Sequence, residues 1–200
     1  MRSSMGSHNL QKRIRLASMT CPNTGIFGQP SKRSMCRFTF TPALPCQRTS
    51  LLYQGHPWLT SSVWGFTAET SIHVLRLMGG GLFDEYPRLK LIIGHLGEGL
   101  PCNIWRIDNR ISRTLGVRPK AKHLIGKYLR ENFYITTSGN FRTQTPTEVM
   151  LEIGADRILY SVDFPFEDMG IAAEWFDRAP LSEADRLKIG CSNAQHLFHL

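Results

Sequence analysis

The first third of this 200-residue chain contains no acidic residue, and the first one is Glu69. Residues 1–68 hold eight Lys and Arg, whereas residues 69–200 hold sixteen basic and sixteen acidic residues, so the whole net charge of +8 lies in the first third. A nucleic-acid-binding fold carries its basic residues on a folded face. Because the rest of the chain is electrically balanced, the charge argues against a nucleic-acid partner and indicates an unusual N-terminal segment.

Membrane and disulfide signals are also missing. No apolar run reaches the roughly 18 residues of a membrane-spanning helix, and no segment resembles the apolar h-region of a secretory signal peptide. The five cysteines are scattered and none forms a Cys-x-x-Cys pair. This argues against a thiolate zinc site or a disulfide framework. We therefore expect reduced thiols, no membrane partner and a cytoplasmic location.

Residues 1–42 are basic, rich in small polar residues and without helical or strand periodicity. Three interpretations remain open: a mitochondrial transit peptide, which would change the expected location; a basic binding arm; or a gene-model artefact joined to a truncated domain. We expect this segment to lie outside the fold and residues 43–200 to form the domain.

From about residue 65 aliphatic runs alternate with amphipathic segments. The runs 89–93, 133–136 and 158–161 are predicted strands, and the segments between them have apolar residues at helical spacing. This pattern implies parallel strands with right-handed crossovers. A full (β/α)₈ barrel typically takes about 250 residues. The predicted fold class is therefore α/β, either an open sheet or the C-terminal half of a TIM-type barrel.

The helix signals include two candidate caps. Thr67 or Thr70 is predicted to start a helix that ends at the glycines 79–81. Ser182, followed three residues later by Asp185, predicts a second capped helix near the C-terminus.

Two predicted strands end on residues that can do chemistry. His95 follows the aliphatic run of LKLIIGHLGEGLP (89–101), with Glu98 one turn later, and Asp163 follows that of RILYSVDFPFE (157–167). The carboxyl ends of barrel strands are where catalytic groups lie. The alternatives are structural: His95 as a hydrogen-bonded core residue, Glu98 as a helix cap and Asp163 as a turn residue. We predict that His95 and Asp163 lie at one end of the sheet and line one cavity.

Several longer motifs resemble one known family. They are GHPWL (55–59), WGFTAETSIHVLRLM (64–78), GLFDEYPRLKLIIGHLGEGLP (81–101), WRIDNR (105–110), NFYITTSGNF (132–141) and GADRILYSVDFPFE (154–167). In this order they resemble the amidohydrolase superfamily, most closely its branch of 2,3-dihydroxybenzoate and γ-resorcylate decarboxylases. The resemblance covers about residues 43–200.

The resemblance implies a (β/α)₈ barrel, one divalent metal ion (Zn²⁺, Mn²⁺ or Mg²⁺) and the non-oxidative loss of CO₂ from a small aromatic hydroxybenzoate-type acid. It implies that Asp163 is a metal ligand that also handles the proton, that His95 lines the pocket beside the metal, and that Glu98 orients His95. Asn140 and Phe164 are the candidate substrate-binding residues. The family also implies a homo-oligomer.

The remaining ligands of the family pattern are missing. The chain has no His-x-His pair and no acid before Glu69, and residues 36–47, where a ligand histidine is expected on a strand, read CRFTFTPALPCQ. Of the implied protein ligands, the sequence keeps Asp163. Two alternatives to a working decarboxylase therefore remain open: a metal-dependent hydrolase of the same superfamily, and a non-catalytic truncated remnant.

Overall fold

A computed structural model describes residues 26–27, 37–40, 53–114, 116 and 118–200. Five strands form one sheet in the order β1 to β5: β1 (Ile26–Phe27), β2 (Arg37–Phe40), β3 (Lys90–Ile93), β4 (Phe133–Thr136) and β5 (Ile158–Leu159). β1 pairs antiparallel with β2, and each pair from β2 to β5 is parallel. The carboxyl ends of the parallel strands therefore meet at one edge.

Helices connect and flank the parallel strands. They are α1 (Gly65–Gly79), α2 (Leu82–Glu85), α3 (Leu100–Arg113), α4 (Ile125–Asn132), α5 (Gln144–Ile153), α6 (Met169–Arg178), α7 (Glu183–Leu187) and α8 (Asn193–Phe198). A π-helical turn, Lys188–Ser192, joins α7 to α8. The described helices do not combine the length and apolar content that crossing a bilayer requires.

The two faces of the sheet are buried differently. Leu91 and Ile93 of β3 pack into the main core with the apolar sides of α1, α3, α4 and α5. Ile92, which points to the other face, packs with Tyr134, Leu159 and Leu197 of α8 in a smaller cluster. Successive side chains of a strand point to opposite faces, so strands covered on both sides read as continuous aliphatic runs.

The structure confirms the predicted α/β class and the parallel strands. β1 pairs with β2, and β2 pairs residue by residue with β3. Residues 26–27 and 37–40 therefore belong to the sheet, although they fall within the segment 1–42 that we expected outside the fold. Most of that segment lies outside the described residues, and for it the expectation stays a prediction.

The predicted start of α1 is wrong. The helix begins at Gly65 rather than at Thr67 or Thr70, and the preceding Trp64 makes no side-chain cap. The Thr67 hydroxyl instead donates to a side chain 31 residues away, that of Glu98. The Ser182 cap is confirmed, because its oxygen accepts from the backbone N–H of Asp185 at 3.1 Å.

Candidate active site

The carboxyl edge of the sheet brings together residues that are far apart in the sequence. His95 follows β3, Gly139 and Asn140 follow β4, and Asp163 follows β5. All four line one cavity of about 1000 Å³, together with Glu98. The prediction that His95 and Asp163 lie at the same end of the sheet and line one cavity is confirmed.

The loop after β3 has an unusual backbone. The φ angles of His95, Leu96 and Glu98 are 51°, 53° and 52°, and those of Gly97 and Gly99 are 79° and 73°. Left-handed conformations cost non-glycine residues roughly 1–2 kcal/mol each and cluster at functional sites. The side chain of Leu96, which is 1% exposed, anchors this loop in the core.

Ser138 holds His95 through two of its atoms. The backbone N–H of His95 donates to the Ser138 hydroxyl oxygen at 3.2 Å, and ring atom Nδ1 lies 3.0 Å from the Ser138 carbonyl oxygen. The serine hydroxyl also lies 2.7 Å from that of Thr136. The orientation of the His95 ring is thus set by the turn that follows β4.

Gly139 leaves space for both strand-end side chains. A Cβ atom at this position would lie 3.0 Å from His95 Nδ1 and 3.6 Å from Asp163 Oδ2, and its φ of +64° is one that L side chains rarely adopt. Both the conformation and the close approach therefore favour glycine here.

Glu98 is a buried carboxyl group held by α1. Its carboxylate oxygen Oε2 accepts from the Thr67 hydroxyl at 2.6 Å, and its carbonyl accepts from the Ser71 hydroxyl at 2.7 Å. Burial raises the pKa of Glu98, while the Thr67 hydrogen bond and the His95 ring oppose that rise. Oε1 lies 3.9 Å from His95 Nε2, an ion-pair distance that exceeds hydrogen-bond length.

The two candidate substrate-binding residues differ in position. Asn140 lines the cavity. The Phe164 side chain is 69% exposed, and the cavity wall after Asp163 is formed by Glu167 instead. The catalytic role of Asp163, like the roles of His95, Glu98, Asn140 and Phe164, stays a prediction.

The donor set can be compared with what a metal centre needs. Within the described residues, no group of three or more His, Cys, Asp or Glu side chains could hold a metal ion. A catalytic zinc usually has about three protein ligands, and Asp163 with His95 supplies fewer. The described residues therefore do not fit a complete metal centre.

Comparison with known proteins decides the family. A family model described as amidohydrolase matches residues 38–200. The chain belongs to this amidohydrolase family. A γ-resorcylate decarboxylase from Polaromonas sp. (strain JS666) is 55% identical over 165 residues, which are 82% of this chain and 50% of that protein. One from Rhizobium sp. (strain MTP-10005) is 54% identical over 164 residues, again 82% and 50%.

Solved structures agree with this assignment. The crystal structure of a 2,6-dihydroxybenzoate decarboxylase in complex with 2,6-dihydroxybenzoate is 53% identical and superposes with a TM-score of 0.79, over 82% of this chain and 51% of that one. A dihydroxybenzoic acid decarboxylase from Polaromonas sp. JS666, solved with manganese and 2-nitroresorcinol, is 54% identical with a TM-score of 0.78, over 81% and 49%. The chain thus spans about half the length of the relatives it matches. This agrees with the predicted partial (β/α)₈ barrel, which corresponds to the C-terminal portion of the family fold.

Sequence reasoning missed the groups that hold the candidate residues. Ser138 and Gly139 stand two and three positions after β4, so the strand-end argument that selected His95 and Asp163 also covers them. No comparable signal identifies Thr67 and Ser71, because they lie within a helix and contact Glu98 across 27 to 31 residues of sequence.

Proposed function

We propose that this chain forms part of the active site of a metal-dependent, non-oxidative decarboxylase that acts on a small aromatic hydroxybenzoate-type acid. The observation that carries the proposal is the meeting of His95, Glu98 and Asp163, from two separate strand ends, at one cavity. The two stretches that supply these residues lie within the region of high identity to γ-resorcylate decarboxylases.

The cavity suits a small anionic aromatic ligand. Its volume of about 1000 Å³ is at the upper end of the usual range of ligand pockets. Phe66, Ile72 and Ile107 give it apolar walls, and Arg106 and Arg110 add positive groups that favour a carboxylate. Exclusion of water by apolar walls would strengthen the charge interactions inside.

Decarboxylation breaks the bond between the ring carbon and the carboxylate carbon and replaces CO₂ with a proton on the ring. We assign the delivery of this proton to Asp163, which lines the cavity at the end of β5. His95 lines the same cavity. A proton donor positioned as Asp163 is in this proposal typically contributes about 10²- to 10⁴-fold to the rate. The Ser138 and Thr67 hydrogen bonds hold His95 and Glu98 in place before a ligand binds.

The test combines this chain with the half of a relative that the chain does not match, so that the barrel can be completed. The full chain is coexpressed with the unmatched half of the Polaromonas enzyme, and CO₂ release from 2,6-dihydroxybenzoate is assayed with added Mn²⁺. We expect turnover with the pair, a loss of at least about 10²-fold in Asp163→Asn, and little change in the matched control Asp177→Asn, which is exposed on α6.

Two outcomes would contradict the proposal. If the two parts copurify but release no CO₂ from any dihydroxybenzoate, the chain is a non-catalytic remnant. If the pair hydrolyses esters or amides instead, the alternative of a metal-dependent hydrolase is correct.

We also propose a cytoplasmic location, supported by the two described cysteines, Cys102 and Cys191, which are both free thiols. A fluorescent protein fused to the C-terminus would report the compartment, and mitochondrial fluorescence would favour the transit-peptide interpretation instead. The homo-oligomer implied by the family stays a prediction that light scattering can check.

A further inference from the structure

We propose that the Ser138–Gly139 turn is a positioning element that fixes the neutral form of His95 with its proton on Nδ1 and with a bare Nε2 on the cavity side. His95 would then act in the cavity as an acceptor of a proton or hydrogen bond rather than as a donor. The inference deepens the proposed function and rests on it only for the identity of the ligand that donates to Nε2.

The proton position follows from the chemistry of the partner. A carbonyl oxygen can only accept a hydrogen bond, and the Ser138 carbonyl lies 3.0 Å from Nδ1 of His95. Nδ1 must therefore carry the hydrogen. A neutral imidazole has a single N–H, so Nε2 keeps its lone pair.

Among the residues that the structure describes, no hydrogen bond to Nε2 occupies that lone pair. The carboxylate oxygen Oε1 of Glu98 lies 3.9 Å from Nε2, which is beyond hydrogen-bond length. The other oxygen of Glu98, Oε2, already accepts from Thr67 at 2.6 Å. The His95 side chain is 31% exposed, so a ligand in the cavity can reach it.

Two further contacts make the turn specific for this arrangement. The Ser138 hydroxyl accepts from the backbone N–H of His95, so one residue holds both the ring and the main chain of the histidine. At Gly139 a Cβ would come within 3.0 Å of Nδ1, the atom that carries the proton. A side chain at this position would push the ring away from the Ser138 carbonyl.

The direct test is the tautomer itself. The full chain is produced with ¹⁵N-labelled histidine, and long-range ¹H–¹⁵N correlation spectra are recorded under conditions in which the ring is neutral. The His95→Gln variant identifies the His95 signals by their loss. We expect a protonated Nδ1 and an unprotonated Nε2 in the wild-type chain. A neutral His95 protonated on Nε2 would overturn the proposal.

The variants test whether the turn is responsible. Gly139→Ala should lose the predominance of the Nδ1–H form, whereas Gly55→Ala should keep it, because Gly55 also has a positive φ, +81°, but a Cβ there meets nothing within 4 Å. An unchanged tautomer in a folded Gly139→Ala variant would refute the role of the turn. If that variant does not fold, Ser138→Ala provides the test. Its backbone carbonyl should keep the Nδ1–H form, but the loss of the hydroxyl should speed hydrogen exchange of the His95 backbone amide. Unchanged exchange would contradict the proposal that Ser138 holds both the ring and the main chain of His95.

The readouts separate the two proposals. Absence of CO₂ release together with a protonated Nδ1 would overturn the proposed function and leave the tautomer assignment standing. Turnover together with a protonated Nε2 would do the reverse.

Discussion

Replacing Thr67 with Val removes the hydroxyl that donates to a buried carboxylate and should destabilise the fold in a pH-dependent way. The hydrogen bond is 2.6 Å long, and Glu98 is 5% exposed, so water cannot easily replace the lost donor. A hydrogen bond to a charged group is worth about 1.5–3 kcal/mol. At about 2–4 °C per kcal/mol for a chain of this size, the melting temperature should fall by about 3–12 °C.

The loss of unfolding free energy in Thr67→Val should depend on pH. Burial raises the pKa of Glu98, and the Thr67 hydrogen bond opposes that rise because it favours the ionised form. In Thr67→Val the pKa of Glu98 is therefore higher still. The loss of unfolding free energy should be greatest above the folded pKa of Glu98. It should shrink to about 0.5–1.5 kcal/mol once the carboxyl is protonated, since the lost bond then joins two neutral groups.

Urea unfolding of both proteins, at pH values on either side of the Glu98 titration, measures this difference. The matched control is Thr147→Val, whose exposed hydroxyl donates to the Thr143 carbonyl at 3.1 Å; its effect should stay within about 0.5 kcal/mol. Equal losses in the two variants, or a loss in Thr67→Val that does not change with pH, would refute the assignment of this hydrogen bond to an ionised Glu98.

Three further predictions follow from the same site. Burial raises the pKa of Glu98, so the wild type should lose unfolding free energy as pH rises from the ordinary glutamate range through the raised folded value. Glu98→Gln should then be the more stable protein at about pH 8 in urea, and a less stable variant would contradict this. Gly97→Ala should cost about 2–5 kcal/mol, because its Cβ would lie 2.8 Å from an Ile135 methyl carbon at a φ of +79°. Gly99→Ala, at +73° with nothing within 4 Å, should cost only about 1–2 kcal/mol in thermal unfolding, and equal costs would refute the packing argument. Calorimetry of the chain alone with Mn²⁺, Zn²⁺ or Mg²⁺ should show weak binding, because Asp163 has too few neighbouring donors among the described residues; tight one-to-one binding would show that the ligand set was misread.

The elements that the sequence predicts well are those set by local signals. α3, Leu100–Arg113, lies between two predicted strands, where the apolar residues recur at helical spacing. Gly99 precedes it with a positive φ, and Pro101 lies in its first turn, where the missing N–H costs nothing. β4 also has its predicted bounds, since a β-branched and aromatic run followed by Thr, Ser and Gly indicates both the strand and its end.

The features that escaped prediction depend on contacts between distant segments. Thr67 has the side chain of a helix cap, but its hydroxyl binds Glu98 in another loop. The ring of His95 is held by the backbone carbonyl of Ser138. Every residue of the chain has a backbone carbonyl that could in principle make such a contact. Side-chain identity gives no information about which carbonyl will be used. The sequence therefore predicts which residues line the cavity better than it predicts what holds them.

The strained loop after β3 explains why His95 needs so many supports. Left-handed φ values at His95, Leu96 and Glu98 cost roughly 1–2 kcal/mol each. Burial of Leu96 offsets about 1.5–3 kcal/mol of this strain. The hydrogen bonds between His95 and Ser138 and the one from Ser71 contribute about 0.5–1.5 kcal/mol apiece, and the one from Thr67 to the Glu98 carboxylate about 1.5–3 kcal/mol. Since these terms are similar in size, the loop keeps its shape only while its supports are intact. The buried side chain of Leu96 and these hydrogen bonds thus hold His95 and Glu98 in position before any ligand arrives. Preorganised groups of this kind need no rearrangement when charge develops during a reaction.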